Sequence, residues 1–206
     1  MVPSHAFFRP CGRLPNPFDD SKEAASRAER VLSLALARPP TLGTGRLVCV
    51  DGPSGSGKTT LATALARRSR DVRVVHTDAM YDGWDGLPRI GDQLAALLGP
   101  LAAGDPGCYR RYDWHAGRYA EKVVVPPAPV LVVEGVGAWV PALAGLVTVL
   151  VWVEAPAPVR LARAVGRDGP AYEERLQQWA RDEEDHFART GARDRADLVL
   201  RAGDKP

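Results

Sequence analysis

The stretch VDGPSGSGKTTLA, residues 50–62, opens on an aspartate after an apolar run and closes in a helical pattern. Within it, Gly52, Pro53, Ser54, Gly55, Ser56, Gly57, Lys58 and Thr59 fit the spacing G-x-x-x-x-G-K-[ST] without a mismatch. The glycines let successive backbone N–H groups turn inward, which makes a nest for an anion. A helix beginning near Gly57 adds the positive end of its dipole at the same point. Lys58 supplies a charge for the β- and γ-phosphates, and the Thr59 hydroxyl is a hard oxygen ligand suited to Mg²⁺. Together with Thr60, these residues predict a site for a nucleoside triphosphate, ATP or GTP, with Mg²⁺.

Outward from the loop, the hydrophobic pattern alternates between short apolar runs and amphipathic stretches. RLVCVD (46–51), VRVVHTD (72–78), PVLVVEG (129–135), LVTVLVWVE (146–154) and ADLVLRA (196–202) read as strands, most of them continuously apolar. Helices are expected over 20–37, with Ser21 as N-cap and Pro39 and Pro40 as the stop, and from Thr59 to Arg68. Others are expected in QLAALLGPLAAG (93–104, ended by Gly99 and Pro100), over 157–169, and over 170–189. CYRRYDW (108–114) and RYAEKVVV (118–125) read either as a hairpin or as two loops. Buried strands alternating with helices predict a parallel sheet covered on both faces, an α/β fold of P-loop NTPase type with about five strands and a small lid. Residues 1–45 read as an N-terminal arm and helix. Residues 46–206 read as the P-loop domain, with an acceptor-binding insertion at about 79–125 and the lid at about 158–170.

Composition excludes several classes. The 27 Lys and Arg are nearly balanced by 25 Asp and Glu, a net charge of +2, so a broad nucleic-acid surface is not expected and any anion site is local. Cys11, Cys49 and Cys108 are odd in number and form no C-x-x-C pair, which argues against a disulfide framework or zinc site. No apolar stretch is long enough for a signal peptide or a membrane span. The expectation is a soluble cytoplasmic protein without membrane or nucleic-acid partners.

The fate of the γ-phosphate follows from what else the sequence carries. The guanine-reading N-K-x-D of regulatory GTPases and the L-S-G-G-Q of transporter ATPases are both missing. A small kinase needs a carboxylate to orient or deprotonate an acceptor hydroxyl, and cations to hold the transferring charge. Asp78, closing the second apolar run, is placed for the first role, on the sheet edge where α/β ligands bind. Glu134, closing the third, is placed near Mg²⁺, through water, because a carboxylate among apolar strands is costly without a cation or donors. Arg160, Arg163 and Arg167 share one helical face and suit a lid over the phosphates.

These residues resemble the uridine kinases and their phosphoribulokinase-like relatives among the P-loop kinases, most closely the short actinobacterial members. The carriers are VDGPSGSGKTTLA, HTDAMYDGWDGL, RYDWHAGRYAE, VLVVEGVGA, VRLARAVGRDG and RADLVL, spread from about Arg46 to Arg201. The resemblance implies that Asp78 is the general base and that Tyr81 lines the nucleoside site. It points to Tyr112, Asp113, His115 and Arg118 as contacts to base and sugar. It places the lid arginines on Arg160, which joins the nucleotide contacts, and on Arg163 and Arg167, which act with Lys58 in transfer. It permits a homo-oligomer, and it makes the partner a small hydroxyl acceptor, a nucleoside. The sequence departs from the pattern at DAM, at Trp114 and in the shortened WHAGR. Trp84 and Trp114 read equally as core plugs or stacking platforms. Arg110, Arg111 and Arg118 admit a nucleoside monophosphate as acceptor. A regulatory ATPase is the reading from another class.

Overall fold

The computed structural model describes residues 21–201, with Ser21 described by its backbone alone; the expected N-terminal arm and the Ser21 cap lie outside the described residues. In chain order the elements are α1 (Ser21–Leu36), β1 (Arg46–Asp51), α2 (Lys58–Arg68), β2 (Val72–His76), α3 (Ile90–Ala102), β3 (Gly107–Asp113) and β4 (Arg118–Val125). They continue with β5 (Val130–Glu134), β6 (Val149–Glu154), α4 (Ala157–Asp168), α5 (Glu173–Thr190) and β7 (Leu198–Arg201). Five strands form one parallel sheet in the order β2-β5-β1-β6-β7, so the strand that feeds the glycine loop lies at its centre.

Period-two alternation explains why these strands are apolar throughout. Leu47, Cys49, Leu131, Val133, Leu150 and Trp152 point into one core, with Leu94, Leu97, Leu98 and Leu101 of α3 and Trp179 of α5. Val48, Val50, Val132, Val149 and Val151 point into the other, with Ala28, Val31 and Ala35 of α1 and Leu61, Ala62 and Leu65 of α2. A sheet buried on both faces has no polar side, which is the reason for the continuous runs. This is the P-loop kinase architecture. Among the described residues no helix is long and apolar enough to cross a membrane.

Two of the boundaries that differ from the sequence expectation bear on the site or the core. The second strand stops at His76, and Asp78 sits in a following 3₁₀ turn, Thr77–Ala79, rather than on the strand itself. α3 does not end at Gly99 and Pro100 but runs through them to Ala102. Leu94, Leu97, Leu98 and Leu101 are all buried on one face, and that burial outweighs the local breaking tendency of a Gly-Pro pair in the last turn. The ambiguous 108–125 segment is a hairpin: β3 and β4 pair antiparallel, from Gly107 opposite Val125 to Asp113 opposite Arg118.

Candidate active site

The loop between β1 and α2 has the backbone that an anion nest requires. Gly52 has φ +137°, and a Cβ there would collide with the Val153 carbonyl of β6. Gly55 has φ +75°, and a Cβ would lie 2.5 Å from the Arg160 carbonyl oxygen. Both positions therefore demand glycine on two grounds, conformation and close approach. Gly57 occupies the N-cap of α2 with no side-chain cap, so the first N–H groups of the helix are not covered by a capping side chain. The Lys58 ammonium is buried in the loop, where it donates to the carbonyls of Gly52 at 2.7 Å and Pro53 at 3.0 Å. Burial pulls its pKa down, while the carboxylates of Glu183, Glu134 and Asp51 act in the opposite direction.

Thr59 and Glu134 meet as the chemistry of a Mg²⁺ site asks. The Thr59 hydroxyl donates to Glu134 Oε1 at 3.0 Å, and His76 Nδ1 lies 2.6 Å from the same oxygen. The His76 pKa is raised, chiefly by that hydrogen bond. One hydroxyl and one carboxylate side by side are hard oxygen donors. They fit an ion that keeps much of its water and shares its remaining positions with phosphate, rather than one caged by protein. Asp78 opens onto the solvent at the same edge. Its carboxyl pKa is raised, first by the loss of water around it and then by the charge of Glu134, with His76 and Arg167 opposing. A carboxyl whose pKa is raised is a stronger base than an ordinary aspartate. The Trp114 indole N–H donates to the Asp78 carbonyl at 2.9 Å and ties this turn to the hairpin.

Two carboxylates that sequence reasoning did not single out belong to the same region. Asp51 is fully buried and accepts three backbone N–H groups: Gly52 (2.7 Å) and Gly137 (3.0 Å) on Oδ1, and Trp139 (3.0 Å) on Oδ2. Burial pushes its pKa up to about 7 against the pull of those donors and Lys58. Its role is to staple the start of the loop to the segment after β5. Glu183 of α5 accepts the Ser54 N–H with both oxygens, at 3.0 and 3.2 Å. The apolar run before Asp51 was a usable signal, since an aspartate closing a central strand needs donors. Glu183 lies in a charged helix, RDEED, where nothing local marks it.

The acceptor-side residues divide. Tyr81 is buried, its hydroxyl donates to the Val136 carbonyl at 2.6 Å, and its ring lies 5.2 Å from that of Trp179. A phenol inside the core needs a partner, and the Val136 carbonyl supplies it. Asp113 caps the hairpin turn, accepting the N–H groups of His115 and Ala116 at 3.0 Å each; these donors, Ala116 first, hold its pKa low. His115 and Arg118 are exposed at the hairpin tip. Tyr112 packs edge-on to Trp114 (5.2 Å) and Tyr119 (5.4 Å), and Trp84 bridges Trp114 (5.5 Å) to Trp179 (5.9 Å). The half-buried tryptophans thus form part of an aromatic wall rather than isolated plugs.

The arginine face of α4 lies against the loop. Arg163 donates to the Gly55 carbonyl at 2.8 Å, and Arg160 donates to the Ala155 carbonyl at 3.1 Å. Arg167 forms a two-pronged pair with the buried Asp168 carboxylate, 2.7 Å on each arm, and its charge acts on Asp78 and Lys58. The structure therefore brings together Lys58, Thr59, Glu134, Asp78 and the three arginines. Tyr81 lies in the core, and one oxygen of Asp113 serves the turn.

His186, one helical turn beyond Glu183, has a consequence for stability. It is buried, its Nε2 has no hydrogen-bond partner among the described residues, and burial followed by the charge of Arg189 lowers its pKa to about 4. The unfolded chain binds a proton near the ordinary value of 6.5, so between pH 6.5 and 4 it takes up a proton that the fold refuses. The contribution is complete above that window and is lost as pH falls through it, on the order of 3 kcal/mol in full. His186→Leu is expected to flatten the acid limb of the urea-midpoint profile. Parallel profiles for the variant and the parent over this window would exclude His186 as the cause.

No family model and no curated protein matches the chain. Solved structures do. One described as a possible uridine kinase from Bacillus stearothermophilus aligns at TM-score 0.60 and 21% identity, over 86% of this chain and 99% of its own. Another, described as a fructose transport system kinase from Silicibacter, aligns at TM-score 0.59 and 23% identity, over 86% and 98%. At that identity the likeness speaks of architecture alone, and the architecture is the P-loop kinase fold of these two structures.

Proposed function

We propose that the protein is a small-molecule kinase that moves the γ-phosphate of ATP or GTP, with Mg²⁺, to a hydroxyl group. The observation that carries this reading is the contact of Thr59 with Glu134 on the same sheet edge as Asp78, beside a loop with Lys58 buried inside it. The loop amides and Lys58 grip the phosphates. Thr59 and Glu134 hold the metal, which supplies charge neutralisation during transfer. Asp78 orients the acceptor hydroxyl and takes its proton, and the α4 arginines stabilise the transferring charge. The acceptor we favour is a pyrimidine nucleoside, as the uridine kinase resemblance implies, received between Asp78, Tyr112 and the hairpin. A neutral acceptor is supported over a nucleoside monophosphate because Arg111 is paired with Glu121 at 2.6 Å and Arg110 lies over the Tyr119 ring at 5.2 Å.

The deciding experiment is an ADP-release screen against nucleosides, nucleoside monophosphates, sugars and small alcohols. Stimulation by pyrimidine nucleosides is expected. Stimulation by another group alone would move the acceptor to that group, and ADP release indifferent to every acceptor would leave a regulatory ATPase. With the best acceptor, Arg163→Ala and Arg167→Ala are each expected to lower kcat by about tenfold or more, with a smaller change in acceptor KM. An unchanged kcat in both variants would return the arginine face to a structural role.

A further inference from the structure

Against the glycine loop packs a buried carboxylate of α5, Glu183, that phosphoryl transfer does not call for. The side chain of Glu183 is 2% exposed, and both its oxygens face the Ser54 N–H. Its Oε2 lies 3.8 Å from an Arg160 nitrogen. Among the carboxylates acting on Lys58, Glu183 has the largest effect, ahead of Glu134 and Asp51. Trp179, one turn earlier on α5, donates its indole N–H to the Ser54 hydroxyl at 3.2 Å, so the helix grips this residue at two atoms. A carboxylate in this position is costly twice over. It gives up water on burial, and it repels the polyanion that the loop is shaped to receive. Those costs make sense if the carboxylate has work to do when no phosphate is bound. Two cations converge here in surroundings of low dielectric, and a charge-assisted hydrogen bond also orients the loop amide.

We propose that Glu183 is the internal counter-anion of the nucleotide-free loop, holding Lys58, Arg160 and the Ser54 amide in place until nucleotide phosphates take over the two cations. The inference rests on the reading of the loop as a nucleotide site. Glu183 is a positioning residue in this scheme, since it acts through Lys58 and Arg160 and not on the reacting atoms. It also yields a sign that a merely structural role would not. Removing its charge strengthens anion binding while weakening transfer, because the phosphates no longer compete with a resident carboxylate but meet cations that are no longer aligned.

The test uses calorimetry on the full chain with inorganic tripolyphosphate and with MgATP, alongside the kcat of ADP release with the best acceptor. Glu183→Gln keeps the shape and an oxygen for Ser54, and is expected to bind tripolyphosphate about tenfold more tightly, with kcat about tenfold lower. Glu183→Asp keeps the charge and is expected to bind tripolyphosphate as the parent does. Unchanged or weaker tripolyphosphate binding by a folded Glu183→Gln variant would overturn the proposal and leave the nucleotide site standing. If Glu183→Gln does not fold, Arg160→Gln decides: about tenfold weaker tripolyphosphate binding supports the transfer of this cation to phosphate, and unchanged binding overturns it. Failure of the parent protein to bind either tripolyphosphate or MgATP would instead remove the nucleotide reading, and this inference with it.

Discussion

Asp78→Asn is expected to lower phosphoryl transfer by roughly a hundredfold to ten-thousandfold, the range of a positioned acid–base group, while leaving nucleotide affinity nearly unchanged. The substitution keeps shape and hydrogen-bonding reach but removes the proton acceptor. Asp78 lies in the turn after β2, and no hydrogen bond joins its side chain to the glycine loop among the described residues, so the grip on the phosphates does not depend on it. Its raised pKa, caused first by lost hydration and then by Glu134, makes it a stronger base than an ordinary aspartate. In a loose transition state the contribution divides between orienting the hydroxyl and abstracting its proton. Paired measurements separate the outcomes. Transfer at the parent rate would pass the role to another carboxylate, Asp82 or Asp113 first. A collapse of nucleotide affinity would make Asp78 a metal or structural residue instead.

Lys58→Ala is expected to weaken nucleotide binding and to lower turnover by more, on the order of a hundredfold to a thousandfold. Lysine charge counts most where negative charge is being redistributed, which is during transfer and not before it. The ammonium already sits inside the loop, 2.7 Å from the Gly52 carbonyl and 3.0 Å from that of Pro53, so binding needs only a change of partner rather than a search through solvent. Its removal also takes from Glu183, Glu134 and Asp51 a cation that opposes their burial, so a lower thermal midpoint should accompany the kinetic loss. Calorimetry with unchanged ATP affinity, together with unchanged turnover, would overturn the assignment of the loop.

How much of this was legible in the sequence depends on the distance over which each feature is determined. The glycine loop, its flanking strand and helix, and the parallel sheet were legible because each rests on a local pattern. The loop needs three glycines at fixed spacing, and a strand buried on both faces needs an unbroken apolar run. Asp78 and Glu134 were legible as candidates for the same reason, since a carboxylate at the end of such a run stands out. The fate of α3 at Gly99 and Pro100 was not, because four leucines buried against the sheet outweigh a local breaker and burial is a property of the partner. Tyr81 shows the same limit at a single residue: the Val136 carbonyl that takes its hydroxyl is 55 positions away, beyond the reach of any local motif. Asp113 was read as a substrate contact, and only the closing of the hairpin showed that its Oδ1 also accepts two amides of the turn. Glu183 lies 129 positions from Ser54 in a helix crowded with charge, so no spacing rule connects the two. Sequence alone determined the phosphate loop and the sheet that carries it, since both are written in neighbouring residues. Which buried charges surround that loop was decided only by tertiary packing, because a charge finds its counterpart across the fold and not along the chain.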